Sequence, residues 1–498
     1  MSHRDGDGCR SSGSCVQASV PGSGGYAQEL AAAVDWLLAD VDWAGIGLRR
    51  DCGWSARGLV TAALLWAWST EAALRERFDL ALRVARRLCG KAVPKSVSYQ
   101  AFIKLLVRWT PQLVVRLAAA LRLRMEREFP DRFRTAGFVV LAGDGSKIGL
   151  ARTKSNESRF SPAKTRQAQQ KRKGKRGGRR SKSRKAQRRR SREKKADSPQ
   201  LALTVLFHVG LRLLWDWRIG PSDSSERDHL REMVPGLPHD ALITADCGFV
   251  GYDFWKTLLD SGRHFVIRVG GNVRLLKQLG VVRESLGTIY LWPDKVAKKN
   301  QPPLVLRLVV VQGGRHPWFL VTSVRDSNRL SDRQVADIYR QRWGIELFFR
   351  HFKQTYGRTK LRSHKAEHAE CELHWSLLGL WTMLLYAQAR LPRTTTTTTT
   401  TAPSGMRTPR LSASRVIKAF GRALHEYRSS PLPNQSLTHL LETALIDPYK
   451  RRDKRSRDYP RKKYEPPAKA PKITRATQNQ RQQAQQLATT KHQKGLPA

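Results

Sequence analysis

The chain is short of the features that usually assign a compartment or a cofactor. Its cysteines (Cys9, Cys15, Cys52, Cys89, Cys247 and Cys371) form no CxxC pair and no Cys/His zinc spacing. That argues against a disulfide framework and a structural metal, and leaves reduced thiols in a cytosolic protein as the expectation. The opening residues, MSHRDGDGCRSSGSC, lack the apolar core of a signal peptide. Long apolar runs are also missing. The nearest, WSLLGLWTMLLYAQARL at 375–391, is a little short and ends with Gln388 and Arg390, so it reads as a buried core helix with no membrane partner. No internal repeat is evident. Acids are scarce: 41 Asp and Glu stand against 91 Lys and Arg, a formal net charge of +50.

That charge is partly local. Residues 171–195 hold 16 Lys/Arg and one acid, residues 450–498 hold 15 and three, and the rest of the chain still carries +23. A basic folded part implies a polyanion partner, nucleic acid first, with an anionic membrane surface as the competitor.

Composition divides the chain. Residues 1–25 are Gly/Ser-rich and read as disordered. Residues 26–130 carry helical periodicity punctuated by Pro94 and Pro111, an all-helical segment suited to DNA binding. Ser98 is placed to cap a helix bearing Lys104 and Arg108, as in a helix-turn-helix reader, although a plain bundle would look the same. Residues 137–391 follow the order strand, hairpin, helix, strand, helix, strand: a mixed α/β sheet with helices on its faces. Within them, 171–195 is a basic insertion too charged to fold, and 270–325 holds further short strands. A Thr-rich linker covers 392–410, a helical segment 411–449, and a basic tail, expected to be disordered, 450–498.

The most specific pattern lies in IYRQRWGIELFFRHFKQ, where Tyr339, Arg342, Glu346 and Lys353 stand in the spacing Y-x2-R-x3-E-x6-K. On one α-helix these four project within roughly 60° of each other. Ile338, Ile345, Phe349 and Phe352 form an apolar stripe beside them. A carboxylate between cations suits a metal ion among phosphates. The i, i+4 pair Arg342 and Glu346 also suits a solvated salt-bridged face. Upstream, Asp144 and Asp246 each end a β-branched run, in GDGS and ADCG. Strand ends feed ligand crevices, and two carboxylates there could share hard cations such as Mg²⁺. Taken singly, each Asp could equally be a turn former or a cap.

GDGS, TADCGFVGYDF and YRQRWGIELFFRHFKQ, in that order, resemble DDE transposases of bacterial insertion sequences, in the insertion-sequence-four type with the Y-(2)-R-(3)-E-(6)-K signature. The resemblance covers roughly residues 137–360. It implies an RNase H-like catalytic domain with a β-rich insertion at 270–325. By matching motifs, Asp144, Asp246 and Glu346 would be the catalytic and metal-binding triad, holding two Mg²⁺ ions, with Mn²⁺ able to substitute. Tyr339, Arg342 and Lys353 would hold DNA phosphates. Trp318, in PWFLVTS, would stack on a flipped base; it would otherwise be a core residue at a strand start. Implied too are cut-and-paste transposition, double-stranded DNA partners (terminal inverted repeats and target), a homodimer on DNA and a bacterial, nucleoid-associated location. A catalytically inactive or domesticated DNA-binding copy, and a basic RNA-binding protein, are the alternatives. The basic run, the Thr run and the tail have no counterpart in the family pattern.

Overall fold

Helices that bury apolar faces build the first layer. A computed structural model of the chain describes residues 25–48, 52–163, 199–280, 287–312, 316–391, 411–446 and 469–493. The basic run 171–195, the segment 392–410, residues 1–24 and 450–468 of the tail lie outside the described residues.

Helices α1 (Tyr26–Leu38), α2 (Ala56–Trp68), α3 (Leu74–Cys89), α4 (Tyr99–Glu128) and the short α5 (Pro130–Phe133) come first. Helix α2 buries every residue from Gly58 to Trp68, as befits a helix with no polar stripe. The Ser98 hydroxyl accepts from the Ala101 N–H at 3.2 Å and opens α4, so the cap read from sequence is present. That helix does not stop at Pro111, where a break was expected. Leu106, Leu113, Leu117 and Leu121 are buried on both sides of the proline, and this packing outweighs one lost backbone bond. The Thr110 hydroxyl, just before it, donates to the Leu106 carbonyl at 2.6 Å.

The chain then passes through β1 (Val139–Gly149), α6 (Lys154–Phe160), β2 (Gln200–His208), β3 (Leu213–Pro221), α7 (Glu226–Met233), β4 (Ala241–Ala245), α8 (Tyr252–Asp260) and β5 (His264–Val269). Next come β6 (Arg274–Lys277), β7 (Thr288–Leu291), α9 (Asp294–Ala297), β8 (Leu304–Val311) and β9 (Trp318–Thr322). All join one mixed sheet in the order β6-β7-β8-β9-β5-β4-β1-β2-β3. Strands β1, β2 and β3 are antiparallel, and β4 and β5 run parallel to β1. Strands from 270–325 continue that sheet, because β9 pairs antiparallel with β5.

Helices α10 (Asp332–Gln341) and α11 (Gly344–Arg350) lead through a π-turn at His351–Thr355 to the long α12 (Ala366–Arg390). Helix α12 contains the apolar stretch 375–391 up to Arg390 and buries Trp375, Leu377, Leu380, Trp381 and Leu385 completely, as the sequence reading expected of a core helix. No helix among the described residues is long and apolar enough to cross a membrane. Helices α2 and α12 touch closely at Gly379, where a Cβ would come within 2.7 Å of the Ala67 Cβ. The Trp68 indole N–H donates to Thr382 at 3.0 Å across the same contact.

Helices α13 (Ala413–His425) and α14 (Leu437–Glu442) pack back onto α1 and α12. One expectation is corrected in the tail. Residues 472–475 form β10 (Lys472–Arg475), parallel to β6, and α15 (Gln478–Gln493) follows. Edge pairing explains it: β6 had an open side, and the Ile473 backbone fills it while Ala476 and Ala484 bury against Tyr290 and Trp292. The described cysteines, Cys52, Cys89, Cys247 and Cys371, are free thiols.

Candidate active site

The site begins where two parallel strands part. Strand β1 pairs with β4 only from Val139 opposite Ala241 to Ala142 opposite Thr244. Two residues further in that register, Asp144 stands beside Asp246. Asp144 does not end its strand, contrary to the sequence reading. Strand β1 continues to Gly149 because β2 pairs with it all the way. What ends is β4, and Asp246 follows it directly, its carboxylate capping a 3₁₀ turn through the Gly248 N–H at 2.8 Å. Alternation along β1 sends Gly143 and Gly145 to the α7 face, where a Cβ on either would overlap Leu230 or Glu226. Asp144 and Ser146 face the other way, toward α11.

The signature segment lies on that side, but not as one helix. A capping box of Ser331 and Gln334 starts α10, which carries Tyr339. The chain tightens at Arg342 and Trp343, whose N–H groups reach Tyr339 and Arg340 carbonyls three residues back. Helix α11 then carries Glu346, and the π-turn carries Lys353. The apolar stripe of Ile338, Ile345, Phe349 and Phe352 is buried as its spacing predicted. Gly344 lets α11 approach β2: a Cβ there would stand 3.1 Å from the Phe207 ring.

This geometry keeps Tyr339, Arg342 and Glu346 together and sets Lys353 on β1. Lys353 Nζ donates to the Ser146 hydroxyl at 2.6 Å, beside Asp144. Arg342 Nη2 donates to Glu346 Oε1 at 3.1 Å. The Arg342 Nε is buried and makes no hydrogen bond. Trp318, half-buried at the start of β9, meets the Tyr339 ring edge-on at 6.1 Å between centroids. The Arg340 guanidinium lies 5.9 Å from the Trp318 ring centre.

Electrostatics bind the pieces together. Burial raises the Asp144 carboxyl to about 6; its own Gly145 N–H and the Arg342 charge resist, while Asp246 and Glu226 add to the rise. Glu226 is raised too, first by burial and then by Asp246, with Lys147 opposing. Burial opposes the charge of Arg342, yet Tyr339, Asp144 and Glu346 outweigh it and raise its pKa. Burial raises the Tyr339 phenol, which therefore stays a hydrogen-bond donor, and lowers Lys353.

Sequence reading missed Glu226. It opens α7 at a position where acids commonly meet a helix dipole, so nothing in ERDHLREM marks it out. Its carboxylate nevertheless lies over Gly145 and within electrostatic reach of Asp144 and Asp246.

The donor set suits a hard divalent cation in kind: carboxylate oxygens, with Asp144 raised in pKa by burial and by the neighbouring acids. Among the described residues, however, no three His, Cys, Asp or Glu stand close enough to hold a metal ion. The structure brings Asp144 and Asp246 together and turns Glu346 onto Arg342.

Residues 139–381 match the family model described as the transposase DDE domain. The transposase InsG for insertion sequence element IS4 of Escherichia coli is 27% identical over 203 residues, which is 39% of this chain and 45% of that protein. The chain thus spans less than half the length of that relative. The cryo-EM structure of the piggyBac transposase synaptic complex with hairpin DNA aligns over 84% of each chain at 11% identity, with a TM-score of 0.36.

Proposed function

We propose, for a chain whose residues 139–381 are a transposase DDE domain of the insertion-sequence-four type, the activity of a cut-and-paste DNA transposase. One juxtaposition carries the reading: the parallel register of β1 and β4 sets Asp144 beside Asp246, while the segment from α10 through the π-turn brings Arg342, with Glu346 bonded to it, toward Asp144 and Lys353 onto Ser146. The strand order β3-β2-β1-β4-β5 supports an RNase H-like core, with 270–325 as its β-rich insertion and 26–130 as the helical DNA-binding part.

In this reading Asp144, Asp246 and Glu346 are the metal-binding triad, the last after leaving Arg342. Mg²⁺, or Mn²⁺ in its place, would supply Lewis acidity at the phosphate, two ions per site by the family's pattern. The chain's own residues do the rest. Arg342 and Lys353 oppose the charge of the scissile phosphate, and the Tyr339 hydroxyl donates to a phosphate oxygen. Trp318 offers a ring face to an extruded base at the transposon end. Water cleaves one strand to free a 3′-hydroxyl; that hydroxyl attacks the opposite strand; the resolved end then joins target DNA. Two protomers pair the two inverted repeats.

The test is strand cleavage of a duplex carrying the element's own terminal repeat, with and without Mg²⁺. Nicking followed by hairpin product, dependent on the ion, is expected. Unimpaired cutting by Asp246→Asn would overturn the triad. A second reading, an idle DNA-binding copy, has one observation in its favour: Glu346 is tied to Arg342, and among the described residues no three acids converge. Tight repeat binding without cleavage in either Mg²⁺ or Mn²⁺ would select it.

A further inference from the structure

We propose that an arginine-lined concavity between α1, α3 and the chain after α13, remote in sequence from the acidic strand ends, binds the phosphodiester backbone of duplex DNA. Only the choice of DNA among polyanions rests on the transposase reading. The hollow is open and encloses about 670 Å³, room for a stretch of nucleotide backbone. Its walls carry Arg83, Arg86 and Arg87 of α3 and Arg428 from the far end of the chain. Positions 83, 86 and 87 share one helix face by their three- and four-residue spacing.

No carboxylate answers these four. Among the described residues none of them makes an ion pair, whereas Arg57, Arg122, Arg124, Arg127 and Arg134 each do. Two nearby acids are committed elsewhere, and Asp79, one turn before Arg83 on α3, is exposed and forms no ion pair with it. Glu29, in the first turn of α1, accepts the Leu437 and Thr438 N–H groups at 2.8 and 3.0 Å and caps α14. Glu426 is held by Arg422 at 3.1 Å. Two of the arginines are fixed by their Nε alone, Arg86 on the Pro94 carbonyl at 2.9 Å and Arg428 on the Tyr427 hydroxyl at 2.9 Å, which leaves their outer nitrogens to a ligand. The N-terminus of α1 also faces the hollow through Gly25, Ala27 and Gln28, and adds its positive dipole end. Four cations gathered without an ion-paired carboxylate repel one another, and an anionic backbone removes that cost. Because residues 427–430, just after α13, supply one wall, that segment must dock on α1 and α3 before the site exists.

The test is fluorescence anisotropy of the full chain on duplex DNA in EDTA, across a salt series. Arg83→Gln, Arg87→Gln and Arg428→Gln are combined; Arg86 is kept for its bond to Pro94. A matched control removes Lys295, Lys298 and Lys299 around α9, all exposed. The cradle variant is expected to lose roughly tenfold or more in affinity, and its slope of log K against log salt to shrink by about 2–3. An unchanged slope, or an equal loss in the control, overturns the site. So does a variant that loses affinity for double-stranded RNA while keeping it for DNA. Thermal melting monitors folding, and the single Arg83→Gln, expected to shrink the slope by about 1, replaces the triple variant if that melts early. Binding in EDTA and cleavage in Mg²⁺ are separate assays, so a slope loss in a chain that never cuts would leave the cradle standing and sink the enzyme, and an unchanged slope in a chain that cuts would do the opposite.

Discussion

Two acids in this molecule have opposite fates. Glu372, on the core helix α12, is 1% exposed. Its carboxylate accepts from the Arg362 N–H at 3.1 Å, the Ser363 N–H at 2.9 Å and the Ser363 hydroxyl at 2.7 Å. Asp144 accepts the N–H of its own neighbour Gly145 at 2.8 Å and otherwise faces Asp246, Glu226 and the shared Arg342. The first carboxylate is satisfied by protein donors and needs nothing from outside. The second is crowded by like charge at the end of a strand pair and gains by taking up a cation or a proton. The difference separates an acid that holds the fold from one arranged for chemistry, and it rests on donors counted rather than on burial.

Substitution sharpens that contrast most. Asp246→Asn should cut the rate of repeat cleavage by about 10³ or more, if the site uses several kcal/mol of charge stabilisation, while its melting temperature stays near wild type or rises. Glu372→Ala should do the reverse in kind. Leaving its donors unpaired in the core should cost about 3 kcal/mol, read by urea denaturation. Asp246→Asn melting several degrees low with cleavage intact would erase the distinction.

A buried histidine tests the satisfied side by pH. His208 is 1% exposed and sits between the Phe133 carbonyl at 3.0 Å, which its Nε2–H faces, and the Leu211 N–H at 3.1 Å, which donates to its Nδ1. Burial holds its pKa down to about 4, against an ordinary value near 6.5. A depressed group stabilises the fold above its unfolded pKa, and that contribution is lost as pH falls through its folded one. Stability should therefore drop between about pH 6.5 and pH 4, by about 2–3 kcal/mol from this residue. His208→Gln should flatten that part of the profile in denaturation curves taken at pH 7, 5.5 and 4.5.

Much of this was readable from the residues, and the remainder has physical causes. Asp144 and Asp246 stand out because β-branched runs lead to them, but only strand register shows them adjacent, and register is a long-range property. The period of Tyr339, Arg342 and Glu346 gave their shared face, while the break at Arg342 and the π-turn at Lys353 left no mark in composition. Pro111 read as a helix end because local preference was weighed without the leucines that hold α4 through it. Strand β10 was hidden in a basic, Gln-rich tail; what orders it is an open sheet edge some 200 residues away. Glu226 was invisible for a related reason, since its meaning depends on the glycine beneath it.

That glycine offers the finest probe of the comparison. A Cβ at position 145 would overlap the Glu226 carboxyl group, the far end of a flexible side chain rather than fixed backbone. Gly145→Ala should therefore cost at most about 1 kcal/mol, because Glu226 can swing aside. The displacement should still be measurable, since it removes one negative neighbour from the aspartates. Glu226→Ala should leave room for the new methyl group, so Gly145→Ala on that background should have almost no effect on stability or on Mg²⁺-induced stabilisation in thermal melts. A coupling of at least ~0.5 kcal/mol between the two sites is the expected result of the double-mutant cycle. Simple additivity would mean that the carboxylate over Gly145 is incidental, and that the acidic strand end consists of Asp144 and Asp246 alone.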